Sequence, residues 1–303
     1  MMHKNILLVL SLTILHSAAF AQQEGVAYNS HIPIHYKIFG KGKPVLIING
    51  GPGMNSNGFA DLAMKLSSNN QAIIYDQRGT GKSEMDHADS SNMTMDLMIS
   101  DIEALRKKLN IDKWIILGHS FGGMLASYYA TKYPQHIRAL VLSSSGGIDL
   151  NLLNYVSKNI DAKLNRIERD SLAFWNRKIA NGDTAYSSRL GRGRNLAAAY
   201  VYHREFIPVL AERLTQGNSQ INNLLWADMQ HKHFDCSNGL QHFEKPVLIF
   251  HGQNDILEKR TAEKAAGVLK NSQLVVLPNC GHYGWLDSPE VYFSHLNKFL
   301  AAN

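Results

Sequence analysis

The chain has little of what marks specialised architectures. Two cysteines in 303 residues, Cys236 and Cys280, cannot build a disulfide scaffold or a thiolate zinc site. One bridge between them and two buried free thiols both stay open on sequence grounds. Eight prolines and 23 glycines, with no internal repeat, exclude a collagenous or low-complexity chain. Charge of one sign is lacking too. The 31 basic and 25 acidic residues leave +6 with no block of like charge, which argues against nucleic acid as the main partner. Long apolar runs are also missing. The run from Ile6 to Leu15 falls short of the ~20 residues that a bilayer-spanning helix needs. It lies between Lys4 and Ala19-Phe20-Ala21, so residues 1–21 read as a secretory signal peptide. The expected mature chain starts at Gln22, is secreted or periplasmic, and has no stable membrane insertion; no cysteine follows the cleavage site to carry a lipid.

What remains is a globular composition, 45% hydrophobic and 18% charged. Short runs rich in Val, Ile and Leu occur at 45–48, 72–75, 114–117, 139–142, 247–250 and 274–277. They are nearly uninterrupted, as strands buried on both faces of a mostly parallel sheet must be. Helix-like segments lie between them at 95–109, 121–133, 261–269 and 291–300. The alternation predicts an α/β fold with a doubly wound sheet. Upstream, Ile32, Ile34, Tyr36 and Ile38 alternate within 27–39, as in an antiparallel strand at the leading edge of the sheet.

The alternation stops near Gly147 and resumes near Pro246. Residues 147–243 read as a helical cap inserted between two parts of a core, 22–146 and 244–303, with helices expected over 153–169, 195–213 and 219–229. Arg189, Arg192 and Arg194 cluster around two glycines there, as in a solvated loop or, less commonly, a site for a substrate carboxylate.

The chemistry concentrates after the strand at 114–117. Gly118-His119-Ser120-Phe121-Gly122 is a G-x-S-x-G turn between a strand and a helix, the context in which the serine is held strained with its Oγ exposed. Strain alone does not deprotonate a serine, so a base and an orienting acid are required. Asp255 and His282 each stand just past the end of a later strand, in the chain order Ser, Asp, His expected of such a sheet. Two backbone donors for an oxyanion complete the set. Phe121, after the nucleophile, supplies one N–H, and Gly51 of Asn49-Gly50-Gly51-Pro52-Gly53 supplies the other.

Together with Asp76-Gln77-Arg78-Gly79-Thr80-Gly81-Lys82-Ser83, these segments resemble the proline iminopeptidase family of α/β-hydrolases over residues 26–146 and 244–303. Asn49 stands where that family usually has His, whereas the second segment matches fully. The resemblance implies the α/β-hydrolase fold, serine chemistry and a helical cap. It also implies cap glutamates that hold a peptide's free α-amine, for which Glu205 and Glu212 are the candidates; Glu168 is the only other glutamate of the insertion.

Two tempting signals fail. Gly81-Lys82-Ser83 lacks the earlier glycine of a phosphate loop, since that position is Asp76. His231 and His233 fall on different faces of a helix and have no carboxylate pair to complete a metal site. The expectation is a serine hydrolase that works through an acyl-enzyme without cofactor or metal, on a short peptide or small molecule. Release of an N-terminal residue, proline foremost, leads, with cleavage of a small ester or amide second. A hydrolase fold kept as a non-catalytic binding module is the rival class.

Overall fold

In the computed structural model, which describes residues 22–303, the apolar runs become strands of one eight-stranded sheet. The signal-peptide reading of residues 1–21 lies outside the described residues. The strands are β1 (Gln23–Asn29), β2 (Ile32–Phe39), β3 (Lys43–Ile48), β4 (Asn70–Tyr75), β5 (Trp114–His119), β6 (Ile137–Ser143), β7 (Val247–Gly252) and β8 (Ser272–Leu277). Their spatial order is β1-β2-β4-β3-β5-β6-β7-β8. From β4 to β8 every pairing is parallel, and β1 and β2 are antiparallel additions. Before β6 come α1 (Ala60–Leu66), α2 (Met95–Lys108) and α3 (Phe121–Lys132). Between β6 and β7 lie α4 (Val156–Lys163), α5 (Arg166–Ala180), α6 (Tyr186–Tyr200), α7 (Ile207–Leu214), α8 (Ser219–His231) and the short α9 (Ser237–Leu240). The chain closes with α10 (Lys259–Val268), α11 (Gly284–Asp287) and α12 (Pro289–Ala302). This is the α/β-hydrolase architecture.

The two-residue period of a strand explains the layers. Leu46, Ile48, Ile116, Leu140 and Leu142 face one core with α2, α3 and α10, while Val45, Ile47, Leu117, Val141 and Phe250 face the other with α1 and α12. Burying each such aliphatic side chain is worth roughly 1.5–3 kcal/mol, which is why the central strands carry no polar alternation. Cys236 and Cys280 are both buried free thiols and belong to opposite cores.

Four local expectations need correction. The segment 27–39 is a hairpin rather than a single strand: Ser30 takes φ +56° at the turn, so β1 forms the edge and β2 sits inside it. The helix expected over 153–169 breaks at Asn165, whose side chain accepts from Glu168 N (3.0 Å) while Glu168 accepts from Asn165 N (2.9 Å), starting a new helix. The stretch 195–213 breaks likewise, because Asp287 accepts the N–H groups of Tyr202 and His203 (2.9 Å each) and Pro208 restarts the chain in α7. The arginine cluster is not in a loop. It rides on α6, where Gly191 and Gly193 give close passage to Trp175 and to the Ala211 carbonyl.

One buried polar group makes stability depend on pH. Glu103 on α2 accepts from Arg106 twice (2.9 Å each), is 3.0 Å from His136 Nδ1, and also accepts from the Tyr129 hydroxyl. Burial alone would raise its pKa, but the hydrogen bonds from Arg106, Tyr129 and His136 bring it down to about 2. With a folded value below the unfolded one of about 4.3, its contribution is complete above that pH and is lost as pH falls toward 2. Glu103→Gln is therefore expected to flatten the acid limb of stability, read as urea midpoints between about pH 5 and pH 2.

Candidate active site

The site begins with crowding between β5 and α3. A Cβ on Gly118 would lie 2.4 Å from the Gly122 carbonyl oxygen, and one on Gly122 would lie 2.1 Å from the Ile48 carbonyl oxygen. Only glycine fits at either place. Between them Ser120 is held at φ +54°, ψ −121°, a conformation that costs an L-residue of order 1–3 kcal/mol and turns its side chain out of the strand direction. Helix α3 starts at the next residue, so the N–H of Phe121 has no intrahelical acceptor.

Strand pairing brings the second donor alongside. Ile48 pairs with Gly118, so the loop after β3 leaves the sheet beside the turn, and a Cβ on Gly50 would meet the Ser120 Cβ at 2.7 Å. Gly51 follows at φ +74°. The loop is held from below by the segment 76–83. Gln77 Nε2 donates to the Asn49 carbonyl (3.0 Å), and Asp76 accepts from Ser56 N (2.9 Å), Ser56 Oγ (2.7 Å) and Lys82 N (2.9 Å). Arg78 makes a two-pronged buried pair with Asp101 (2.6 Å on each prong), fixing the segment to α2. Gly81-Lys82-Ser83 thus closes a turn, with Ser83 Oγ donating to the Asp76 carbonyl (2.7 Å). Asn49, at the position of the family's usual His, donates from Nδ2 to the carbonyls of Gly50 (3.2 Å) and Met54 (2.9 Å).

Asp255 and His282 come together from the loops after β7 and β8. A Cβ on Gly252 would lie 1.9 Å from the Gly281 carbonyl oxygen, so the two loops touch. His282 Nδ1 stands 2.8 Å from Asp255 Oδ1, both fully buried, and the acid also accepts from Leu257 N (3.1 Å). Burial works to raise the Asp255 carboxyl, but the His282 ring and its hydrogen bond outweigh it and the net direction is down. The acid is a carboxylate, so Nδ1 of His282 is the donor in this bond and Nε2 is the ring nitrogen left for other partners. His282 N donates to the Tyr200 carbonyl (2.7 Å) at the end of α6, and Gly281 N donates to Asp287 (2.9 Å), which locks this loop against the inserted helices.

Ser120, His282, Gly51 and Phe121 line one cavity of about 260 Å³. Asp255 stands behind His282. Sequence reasoning missed the most unusual group there, Arg213 of α7. It is only 6% exposed and has no carboxylate partner among the described residues. Its Nη2 donates to the Gly50 carbonyl (3.1 Å) and its Nη1 to the Tyr283 hydroxyl (2.9 Å), with the guanidinium 4.7 Å above the Phe59 ring. A helical arginine in a basic chain carries no sequence signal, and the nearest clue is Gly58, where a Cβ would meet Arg213 Cδ at 2.4 Å. His119, beneath His282 with ring centres 4.7 Å apart, is pushed well below its usual pKa by burial and by the nearby His282 and Arg213. Its Nδ1 faces the Ser143 carbonyl (3.0 Å) and must be the donor, so His119 is a neutral wall.

The two proposed amine ligands are not brought to the cavity. Glu205 is 70% exposed beside His203, and Glu212 is exposed and accepts from the Tyr186 hydroxyl. Glu168 pairs with Arg204. On α7, Arg213 faces inward, which turns its neighbour Glu212 out to solvent. Among the described residues, no three His, Cys, Asp or Glu side chains gather as a metal site.

The alpha/beta hydrolase fold family matches residues 43–289, and the chain belongs to it. Within that family it is proline iminopeptidase-like. It is 28% identical over 270 residues to a proline iminopeptidase of Heyndrickxia coagulans, covering 86% of this chain and 91% of that one. It is 26% identical over 290 residues to one of Saccharolobus solfataricus, covering 92% of each. The solved structure of a proline iminopeptidase from Mycobacterium smegmatis superposes with a TM-score of 0.71 at 20% identity, over 93% of this chain and all of the other. The protein is accordingly a hydrolase of this fold.

Because the Gly122 contact is with backbone, it has no side chain to rotate away. Gly122→Ala is expected to cost about 2 kcal/mol or more in chemical denaturation.

Proposed function

We propose that the protein is a serine hydrolase that works through an acyl-enzyme, with Ser120 as nucleophile, His282 as base and Asp255 as orienting acid. The observation that carries this is the Asp255–His282 bond of 2.8 Å behind a strained Ser120 that shares His282's cavity. His282 Nε2 takes the Ser120 proton as Oγ attacks the substrate carbonyl, then gives it to the leaving group. Asp255 holds the tautomer and stabilises the imidazolium, and water repeats the sequence to free the enzyme. The tetrahedral oxyanion rests on the N–H groups of Phe121 and Gly51.

Arg213 acts on the second of these donors. The carbonyl of Gly50 and the N–H of Gly51 belong to one peptide unit, so a charged donor on the oxygen, seconded by Asn49, fixes the plane that aims the N–H and polarises it.

The named relatives support release of an N-terminal residue from peptides, proline foremost. One observation favours the second reading, a small ester or amide: among the described residues no Asp or Glu lines the cavity to hold a terminal ammonium.

Ser120→Ala is expected to abolish turnover and labelling by a serine-directed phosphonate while leaving the unfolding transition near that of the parent. Unchanged activity would remove the assignment, and a folded parent that resists labelling would favour a binding module. Arg213→Met is expected to lower kcat roughly 100-fold, comparable to losing an oxyanion donor, with a smaller change in KM.

A further inference from the structure

The catalytic cavity adjoins a second one of about 420 Å³, and the two share Gly51, Pro52, Met54, Tyr200, Leu214 and Asn222. Their remaining walls differ. On one side of Ser120 the lining is apolar, with Leu152, Val156, Ile160, Trp226 and Leu257. The second cavity adds apolar Ile179 and Leu196 but also brings the cationic Arg189 and Arg192 and the polar Asn218 and Asn223. Among the described residues no Asp or Glu lines either one, so with Arg213 the adjoining cavities carry three arginines and no carboxylate from those residues.

Arg189 and Arg192 stand three residues apart on one face of α6. Neither is ion-paired among the described residues; Arg192 Nε donates to the Asn176 side-chain oxygen (2.9 Å). Acids near this end of the insertion are engaged elsewhere: Glu212 by Tyr186, Glu168 by Arg204, and Asp183 by Lys178 (3.1 Å) and Ser188 (2.7 Å). Two guanidinium groups over a concave, partly apolar space focus positive potential into it and match the planar fork of a carboxylate. An ammonium in the same place would meet only like charge.

We infer that the joined cavities select substrates whose scissile ester or amide lies between an apolar group and a carboxylate, with Arg189 and Arg192 receiving the carboxylate. This rests on the serine hydrolase reading above and names its substrate class, which is distinct from the free-amine class.

The test compares kcat/KM within two pairs of probes on the full chain. In the first the carboxylate is on the leaving group: the butyryl ester of para-hydroxybenzoic acid against that of its methyl ester. In the second it is on the acyl side: mono-para-nitrophenyl glutarate against its methyl ester. Each ratio is internal to one protein sample, so a poorly folded variant cannot mimic the effect. The expected result is an acid-to-methyl-ester ratio above one in at least one pair. That ratio should fall about tenfold in R189Q/R192Q and shrink with added salt. A ratio of one or less in both pairs, a ratio unchanged in the double variant, or no turnover of either acid overturns the inference. Failure of the underlying reading looks different: ester turnover would persist in Ser120→Ala.

Discussion

The structure depends on one steric constraint, the near contact of α3's first turn with the end of β3. The Gly122 Cα lies so close to the Ile48 carbonyl that no side chain fits between them, and Gly118 is crowded by Gly122 in turn. From this follow the positive φ of Ser120, the emergence of α3 directly behind it, and the position of the loop after β3 beside the serine. A parallel sheet supplies the rest without further tuning. β5, β7 and β8 end on the same edge because they run the same way, so Ser120, Asp255 and His282 meet there although the whole helical insertion separates the first two in sequence.

A second layer of the design is polar and buried. Asp76, Gln77, Arg78 and Asn49 satisfy backbone groups of the loop after β3 or tie it to α2, and none needs to touch a substrate to matter. Such networks suit a region where irregular backbone must be rigid, because each buried amide left without a partner costs about 1–3 kcal/mol. The insertion joins the network too. Arg213 reaches the Gly50 carbonyl, and Asp287 gathers N–H groups from both the His282 loop and the end of α6. The inserted helices therefore hold the loops around Ser120 and His282 as well as lining the cavity beside them.

What could be read from the sequence follows the same division. Strands buried on both faces announce themselves as apolar runs, and Gly118, Ser120 and Gly122 sit in a local pattern with a steric cause, so the fold and the placing of Ser120, Asp255 and His282 just past the ends of strands were legible. The hairpin at Ser30 and the helix breaks at Asn165 and Tyr202 were not: the first is a positive-φ turn at a non-glycine residue, and the two breaks depend on hydrogen bonds whose partners had to be located. Glu168 is within the same turn but Asp287 is far along the chain. Gly191 and Gly193 misled for a related reason. Glycine in a helix reads as a break unless one knows that Trp175 and Ala211 press against it. Glu205 and Glu212 came from family likeness alone; Glu205 sits in the short turn before α7, and the direction Glu212 faces is set by how α7 packs.

Chemistry and recognition therefore answer to different constraints in this chain. Ser120 is held by backbone crowding that tolerates almost no substitution at Gly118 or Gly122. The groups lining the adjoining cavity are side chains on helices α6, α7 and α8, where exchanging an acid for an arginine meets no steric barrier and costs little stability. A cap of this kind can reverse the charge it presents to a substrate while the serine, histidine and aspartate beneath it stay in place. Family membership accordingly constrains the bond that is cut far more tightly than the molecule that carries it.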